Sequence, residues 1–172
     1  MSFSTQAQTV LAAPMETGLC CIDIDALSGF YISAFSFKAV SLISVAGDVP
    51  GAQFFSDSGY RVARLQAPFG ERLKLLAADG AAPAAHAGRS RPSANILKEA
   101  NAMFITFIVA DIAAALERAV TLGATAMGGI TTIRSGLAIV LIRDPEGNCI
   151  ELAQYNELGL YRPDLFSERL PT

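Results

Sequence analysis

The stretch Gly147-Asn148-Cys149-Ile150-Glu151-Leu152-Ala153-Gln154 is matched upstream by Gly70-Glu71-Arg72-Leu73-Lys74-Leu75-Leu76-Ala77, at a spacing of 77 residues (147 − 70). Both read Gly-x-x-aliphatic-charged-Leu, the pattern of a strand entered through a glycine turn. A second pair lies upstream of these. Cys20-Cys21-Ile22-Asp23-Ile24 and Ile108-Val109-Ala110-Asp111-Ile112 are apolar strand ends running into an aspartate able to cap a helix. After Asp111, the residues Ile112, Ala115, Leu116, Ala119, Val120 and Leu122 form an apolar stripe that Gly123 closes. After Asp23 or Asp25 a shorter helix is expected, with Leu27, Phe30, Tyr31 and Phe35 on its buried side. Apolar, β-branched segments follow each helix, at 38–47, 60–67 and 71–76 and again at 124–132, 137–143 and 149–153. The chain therefore reads β-α-β-β-β twice, an α+β fold of two tandem modules.

These boundaries divide the sequence into an N-terminal tail (1–15), a first βαβββ module (16–77), a linker (78–101), a second module (102–155) and a C-terminal tail (156–172). The linker is rich in Ala, Pro, Gly and Ser and has no hydrophobic period. It holds His86, Arg89 and Arg91. The two arginines are a possible contact for an anion, although a solvated linker is the plainer reading. His86, the single histidine, is more naturally solvated than catalytic.

Composition narrows the function. At 172 residues and 52% hydrophobic, the chain has material for a core. A formal charge of -3 leaves no basic surplus for a phosphate backbone, so nucleic acid is not an expected partner. No apolar run reaches the roughly 18 residues of a membrane span. The N-terminus lacks the basic opening of a secretory signal, and three cysteines, two of them adjacent, suggest no disulfide framework. The expectation is a soluble protein of the reducing cytoplasm.

The order of elements, with Asp23-Ile24 before Phe30-Tyr31, Asp111-Ile112 before Leu122-Gly123-Ala124, and the closing Asp144-Pro145-Glu146-Gly147-Asn148-Cys149-Ile150-Glu151-Leu152, resembles the vicinal oxygen chelate superfamily. Glyoxalase I, extradiol dioxygenases and the bleomycin and fosfomycin resistance proteins belong to it. The resemblance covers about residues 16–155, and its closing motif is its most specific part. It implies that each module curls a mixed sheet into half a barrel and that the halves enclose a central cavity. It also implies edge strands covered by homodimerisation. Metal-dependent members bind a divalent ion through His, Gln or Glu on the first and last strands of each module. Transferred by motif, those four positions are Glu16, Lys74, Phe104 and Glu151. A phenylalanine cannot ligate and a protonated lysine repels a dication, so no metal and no other cofactor is expected.

On this resemblance Lys74, Glu16 and Glu151 face one cavity. An ammonium between two carboxylates can supply part of the charge a metal would have provided. Lys74 would then polarise a carbonyl or enolate oxygen and leave Glu151 or Glu16 as general base. A structural ion pair without chemistry is the plainer alternative. Phe104, Thr106, Ile108, Cys20, Ile22 and Cys149 share the strand parity of these positions and would line the cavity, an apolar lining with a few small polar groups. Cys149 has no histidine beside it in sequence and reads as an inert thiol. Three functions fit: a metal-free isomerase or lyase acting on a small, largely apolar carbonyl compound, a non-catalytic small-molecule binder like the bleomycin-resistance group, or a metal-dependent lyase or dioxygenase using Glu16 and Glu151.

Overall fold

Asp23 and Asp111 set where both helices begin. In the computed structural model, which describes residues 13–80, 96–98 and 102–166, Asp23 sits in extended backbone and its carboxylate accepts from the N–H groups of Asp25 and Ala26 at 3.1 and 2.9 Å. Helix α1 (Ile24–Phe35) follows. Asp111 accepts from the Ala114 N–H at 3.0 Å and opens α2 (Ile112–Thr121). Each cap satisfies donors that the first helical turn leaves without partners. The first helix has 12 residues and the second 10, which reverses the expected order of length. The reason lies at the C-termini: Gly123 takes φ 103° and ends the second helix early, whereas the first continues until Ser36 adopts the left-handed φ of 60°.

The first module adds strands β1 (Glu16–Cys20), β2 (Lys38–Ala46), β3 (Gly59–Gln66) and β4 (Arg72–Ala78). They form one mixed sheet in the order β1-β4-β3-β2, with β1 parallel to β4 and the other pairs antiparallel. The second module repeats this plan with β5 (Phe104–Ile108), β8 (Leu137–Arg143) and β9 (Cys149–Tyr155), with β5 parallel to β9. One difference separates the modules. The strand expected over 124–132 is divided into β6 (Thr125–Ala126) and β7 (Thr131–Arg134), each antiparallel to β8. Gly128 and Gly129 lie in the break, where two residues without side chains give a strand nothing to pack. The C-terminal segment adds α3 (Leu158–Tyr161), whose Tyr161 ring stacks on Tyr155 of β9 with centroids 4.1 Å apart.

Alternation along the strands decides which face is covered. On β4, Leu73, Leu75 and Ala77 are buried, while Arg72, Lys74 and Leu76 are only half-buried. On β9, Ile150 and Leu152 are fully buried. These inner faces and both helices share one core that runs across the two modules, with Ile24, Leu27, Tyr31 and Ile150 among its members and Phe107 packed against it. Each large apolar side chain buried there contributes about 1.5–3 kcal/mol. Phe107 of β5 packs its ring against Phe35 and Phe37 at centroid distances of 4.7 and 5.8 Å.

The closing motif ties the modules together. Asp144 is buried and accepts from the backbone N–H groups of Glu146 and Asn148, from the Asn148 side chain at 2.8 Å, and from the Tyr31 hydroxyl of α1 at 2.8 Å. Glu146 reaches across to the start of α1, where its two carboxylate oxygens accept from the N–H groups of Ile22 and Asp23 at 2.7 and 2.8 Å. A carboxylate at a helix N-terminus also meets the positive end of the helix dipole. Burial beside Asp144 raises the Tyr31 phenol far above its ordinary pKa, so it remains a neutral donor.

Candidate functional site

The four family positions fall where strand pairing puts them, at the parallel strands of each sheet. Glu16 begins β1 and Lys74 lies mid-β4, with Gly18 as its partner in register. Phe104 begins β5 and Glu151 lies on β9 opposite Thr106. The modules therefore match strand for strand, and all four residues belong to the faces turned away from the helices. Those faces are open: the Glu16 and Lys74 side chains are each 35% exposed, and Phe104 is 48% exposed.

One direct ion pair joins two members of the expected trio. Lys74 Nζ lies 3.4 Å from Glu16 Oε2, which makes the expected pair a partly exposed ion pair. Glu151 instead accepts from the Thr106 hydroxyl at 2.7 Å. Lys74 and Glu151 sit in different sheets and form no ion pair with each other. The modules share one core and are joined by the Tyr31–Asp144 hydrogen bond and by the bonds from the Ile22 and Asp23 N–H groups to Glu146.

The expected lining residues divide by position. Thr106 is exposed and Ile108 half-buried along β5, and Cys149 is buried at the start of β9. Burial raises the Cys149 thiol pKa, and the Arg143 guanidinium only partly opposes that rise. Cys20 is exposed at the end of β1. Ile22 lies beyond that strand, 42% exposed, its N–H committed to Glu146, so its place is at the helix entrance and not on the sheet face. Cys21 is buried, and desolvation with the nearby Glu146 carboxylate pushes its thiol up to about 12. Arg89, Arg91 and His86 lie outside the described residues.

Two surface depressions lie elsewhere. One of about 270 Å³ lies between Asp25 and Ser28 of α1 and Val40, Leu42 and Leu65 of the first sheet. Another of about 420 Å³ lies at the β7–β8 turn, between Arg134, Gly136, Tyr155 and Tyr161. Neither includes Glu16, Lys74 or Glu151.

A family model described as the glyoxalase/bleomycin resistance protein/dioxygenase superfamily matches residues 13–152. The chain belongs to this superfamily. Solved structures agree in fold with this superfamily member. A glyoxalase family protein from Bacillus cereus has a TM-score of 0.71 at 19% identity, covering 87% of this chain and 97% of that one. A glyoxylase/bleomycin resistance protein/dioxygenase domain from Frankia sp. has a TM-score of 0.59 at 18% identity, covering 86% and 94%. Glyoxalase I from Zea mays has a TM-score of 0.58 at 17% identity over 81% of this chain and 43% of that one. A comparison with curated proteins finds none that matches.

Within the superfamily, the donor set of this member does not fit a divalent metal. Lys74 places an ammonium beside Glu16 where a ligand would be needed, and Phe104 offers no lone pair. Among the described residues no three His, Cys, Asp or Glu side chains gather as a metal-binding group. No helix among them is long and apolar enough to cross a membrane.

Sequence reasoning missed the role of the Asp144–Asn148 segment. Its Asp-Pro-Glu-Gly-Asn composition signals a turn. Nothing in that signal names Ile22, Asp23 or Tyr31 as partners more than 110 positions away. It also overlooked Arg64, which lies opposite Lys74 on β3.

Proposed function

We propose that this chain binds a small organic molecule on the open faces of its sheets, using Lys74 with Glu16 as the polar anchor where metal-dependent relatives hold an ion. The observation that carries this reading is the Lys74–Glu16 pair at 3.4 Å, on the family's ligand strands and still accessible to a ligand. An ammonium held there can donate to a carbonyl or enolate oxygen without a metal. Exposed sheet edges and open faces favour covering by a second copy, so the assembly is read as a homodimer in the reducing cytoplasm.

A second reading, isomerase or lyase chemistry on a small carbonyl compound, draws on Glu151. Thr106 fixes this carboxylate through Oε2 at 2.7 Å, which leaves the other oxygen able to accept a proton from a bound substrate. In that reading Lys74 stabilises the developing oxyanion and Glu151 acts as the base.

Equilibrium dialysis against a small-metabolite extract, read by mass spectrometry, tests both. The wild-type chain should enrich a small organic compound, and Lys74→Met should lose most of that enrichment. Time-dependent conversion of the compound, abolished by Glu151→Gln, separates enzyme from binder. Equal enrichment by wild type and Lys74→Met would remove Lys74 as the anchor.

A further inference from the structure

The four strands of the first sheet carry Lys38, Arg61, Arg64, Arg72 and Lys74 against a single carboxylate, Glu16. Arg61 is accounted for on the helix side, where it pairs with Asp25 of α1 at 3.1 Å. The other four cations lie on the open face, because residues opposite one another in register share a face. One row across the sheet reads Gly18, Lys74, Arg64, Ser41, and the next reads Glu16, Arg72, Gln66, Lys38. Four positive charges and one negative therefore occupy one face of a chain whose formal charge is -3. A basic overall composition cannot be the cause.

The arrangement within the rows is unfavourable unless an anion completes it. Lys74 and Arg64 are direct antiparallel neighbours, and like charges placed opposite one another destabilise a sheet. Glu16 neutralises one of them, at Lys74. Among the described residues, Arg64 reaches only the neutral Ser41 hydroxyl, at 3.5 Å, and Arg72 has no ion-pair partner. The second sheet offers a contrast: its strands hold Glu151, Arg134 and Arg143, and its open face is otherwise built from apolar or neutral side chains such as Phe104, Ile108 and Leu141.

We propose that the open face of the first sheet binds the carboxylate or phosphate group of a small organic anion, with Arg64 and Lys74 as its ligands. Arg64 supplies a planar fork that matches either oxyanion, and Lys74 supplies a point charge already oriented by Glu16. This inference rests on the small-molecule reading and deepens it by assigning charge to the ligand.

The test is an amide-resolved NMR titration of the full chain with benzoate, inorganic phosphate and the neutral isostere benzamide. Benzoate or phosphate should shift resonances of β1, β3 and β4 saturably, and the tighter of the two identifies the oxyanion source. Benzamide should not bind. Arg64→Gln and Lys74→Met, each confirmed as folded by its own spectrum, should weaken the anion by about tenfold or more, the effect of a lost charge-assisted hydrogen bond. Arg118→Met removes the same charge from the exposed side of α2 and should leave affinity unchanged within about twofold. Absence of saturation by either anion, or an equal loss in Arg118→Met, would overturn the proposal. Equal binding of benzamide and benzoate would also overturn it, while leaving the small-molecule site in place.

Discussion

Replacing Glu146 with alanine removes both hydrogen bonds that join the closing turn of the second module to the start of α1. The lost contacts are the 2.7 and 2.8 Å bonds from the Ile22 and Asp23 N–H groups, together with a negative charge at the helix N-terminus. Bonds to a charged acceptor contribute roughly 1.5–3 kcal/mol when buried, and the partial exposure here places each at the low end. The charge at the helix end contributes about 0.5 kcal/mol more. Some of this returns when water solvates the freed N–H groups, so the expected net cost is about 2 kcal/mol. For a chain of this size that lowers Tm by roughly 4–8 °C. Glu146→Gln keeps one acceptor oxygen and should cost about half as much. Urea unfolding followed by circular dichroism and by tyrosine fluorescence measures both variants. Because the core runs through both modules, the two probes should report one coincident transition in each protein. A Glu146→Ala change below about 0.5 kcal/mol, or separate transitions for the two probes, would refute the claim that this turn couples the modules.

Cys21 and Cys20 should differ sharply toward alkylation. With its thiol pushed up to about 12, Cys21 at pH 8 should react about a thousandfold more slowly than an ordinary thiol, while exposed Cys20 is labelled first; mass spectrometry of iodoacetamide-treated protein locates the adducts. The same shift fixes a pH dependence. Since the folded pKa lies above the unfolded 9.0, the unfolded state releases this proton first, so Cys21 lowers stability as pH rises from 9 toward 12 and has no effect below 9. Replacing Cys21 with serine or alanine should flatten that part of the stability profile, and an unchanged alkaline slope would count against it. Lys74→Met should cost no more than about 1 kcal/mol in denaturant unfolding, because its pair with Glu16 is a third exposed. A loss of about 3 kcal/mol would instead show a desolvated pair.

Much of the fold is legible in sequence because it depends on short-range chemistry. Asp23 and Asp111 act on N–H groups two or three residues away, and the alternation Leu73-Lys74-Leu75 fixes which side of β4 is buried whatever it packs against. Pseudo-symmetry then places Glu16 with Phe104 and Lys74 with Glu151. What the repeat cannot specify is how the modules meet. Strand equivalence relates Lys74 to Glu151 by position only, and the Tyr31–Asp144 and Glu146 contacts that join the modules lie between segments far apart in sequence. Glu16 and Thr106 become the neighbours of Lys74 and Glu151, each on the adjacent parallel strand of its own sheet. The break at Gly128-Gly129 is a local signal, and it is legible only when two consecutive glycines are given more weight than the β-branched residues around them. Arg64 is invisible for a different reason: its position opposite Lys74 follows from the β3–β4 register, which loop length and packing determine.

The central claim is that this superfamily member handles its ligand with Lys74 and without a divalent ion at the family's ligand strands. Elemental analysis of protein purified without chelator, expressed in metal-supplemented medium and then dialysed briefly against dilute EDTA, addresses it directly. With an ammonium at position 74 and a phenyl ring at 104, Zn, Fe, Mn and Ni should each fall well below about 0.1 per chain. About one equivalent of any of them, retained through chelation and lost in Glu16→Gln or Glu151→Gln, would show that the two carboxylates hold a metal after all and would contradict the claim.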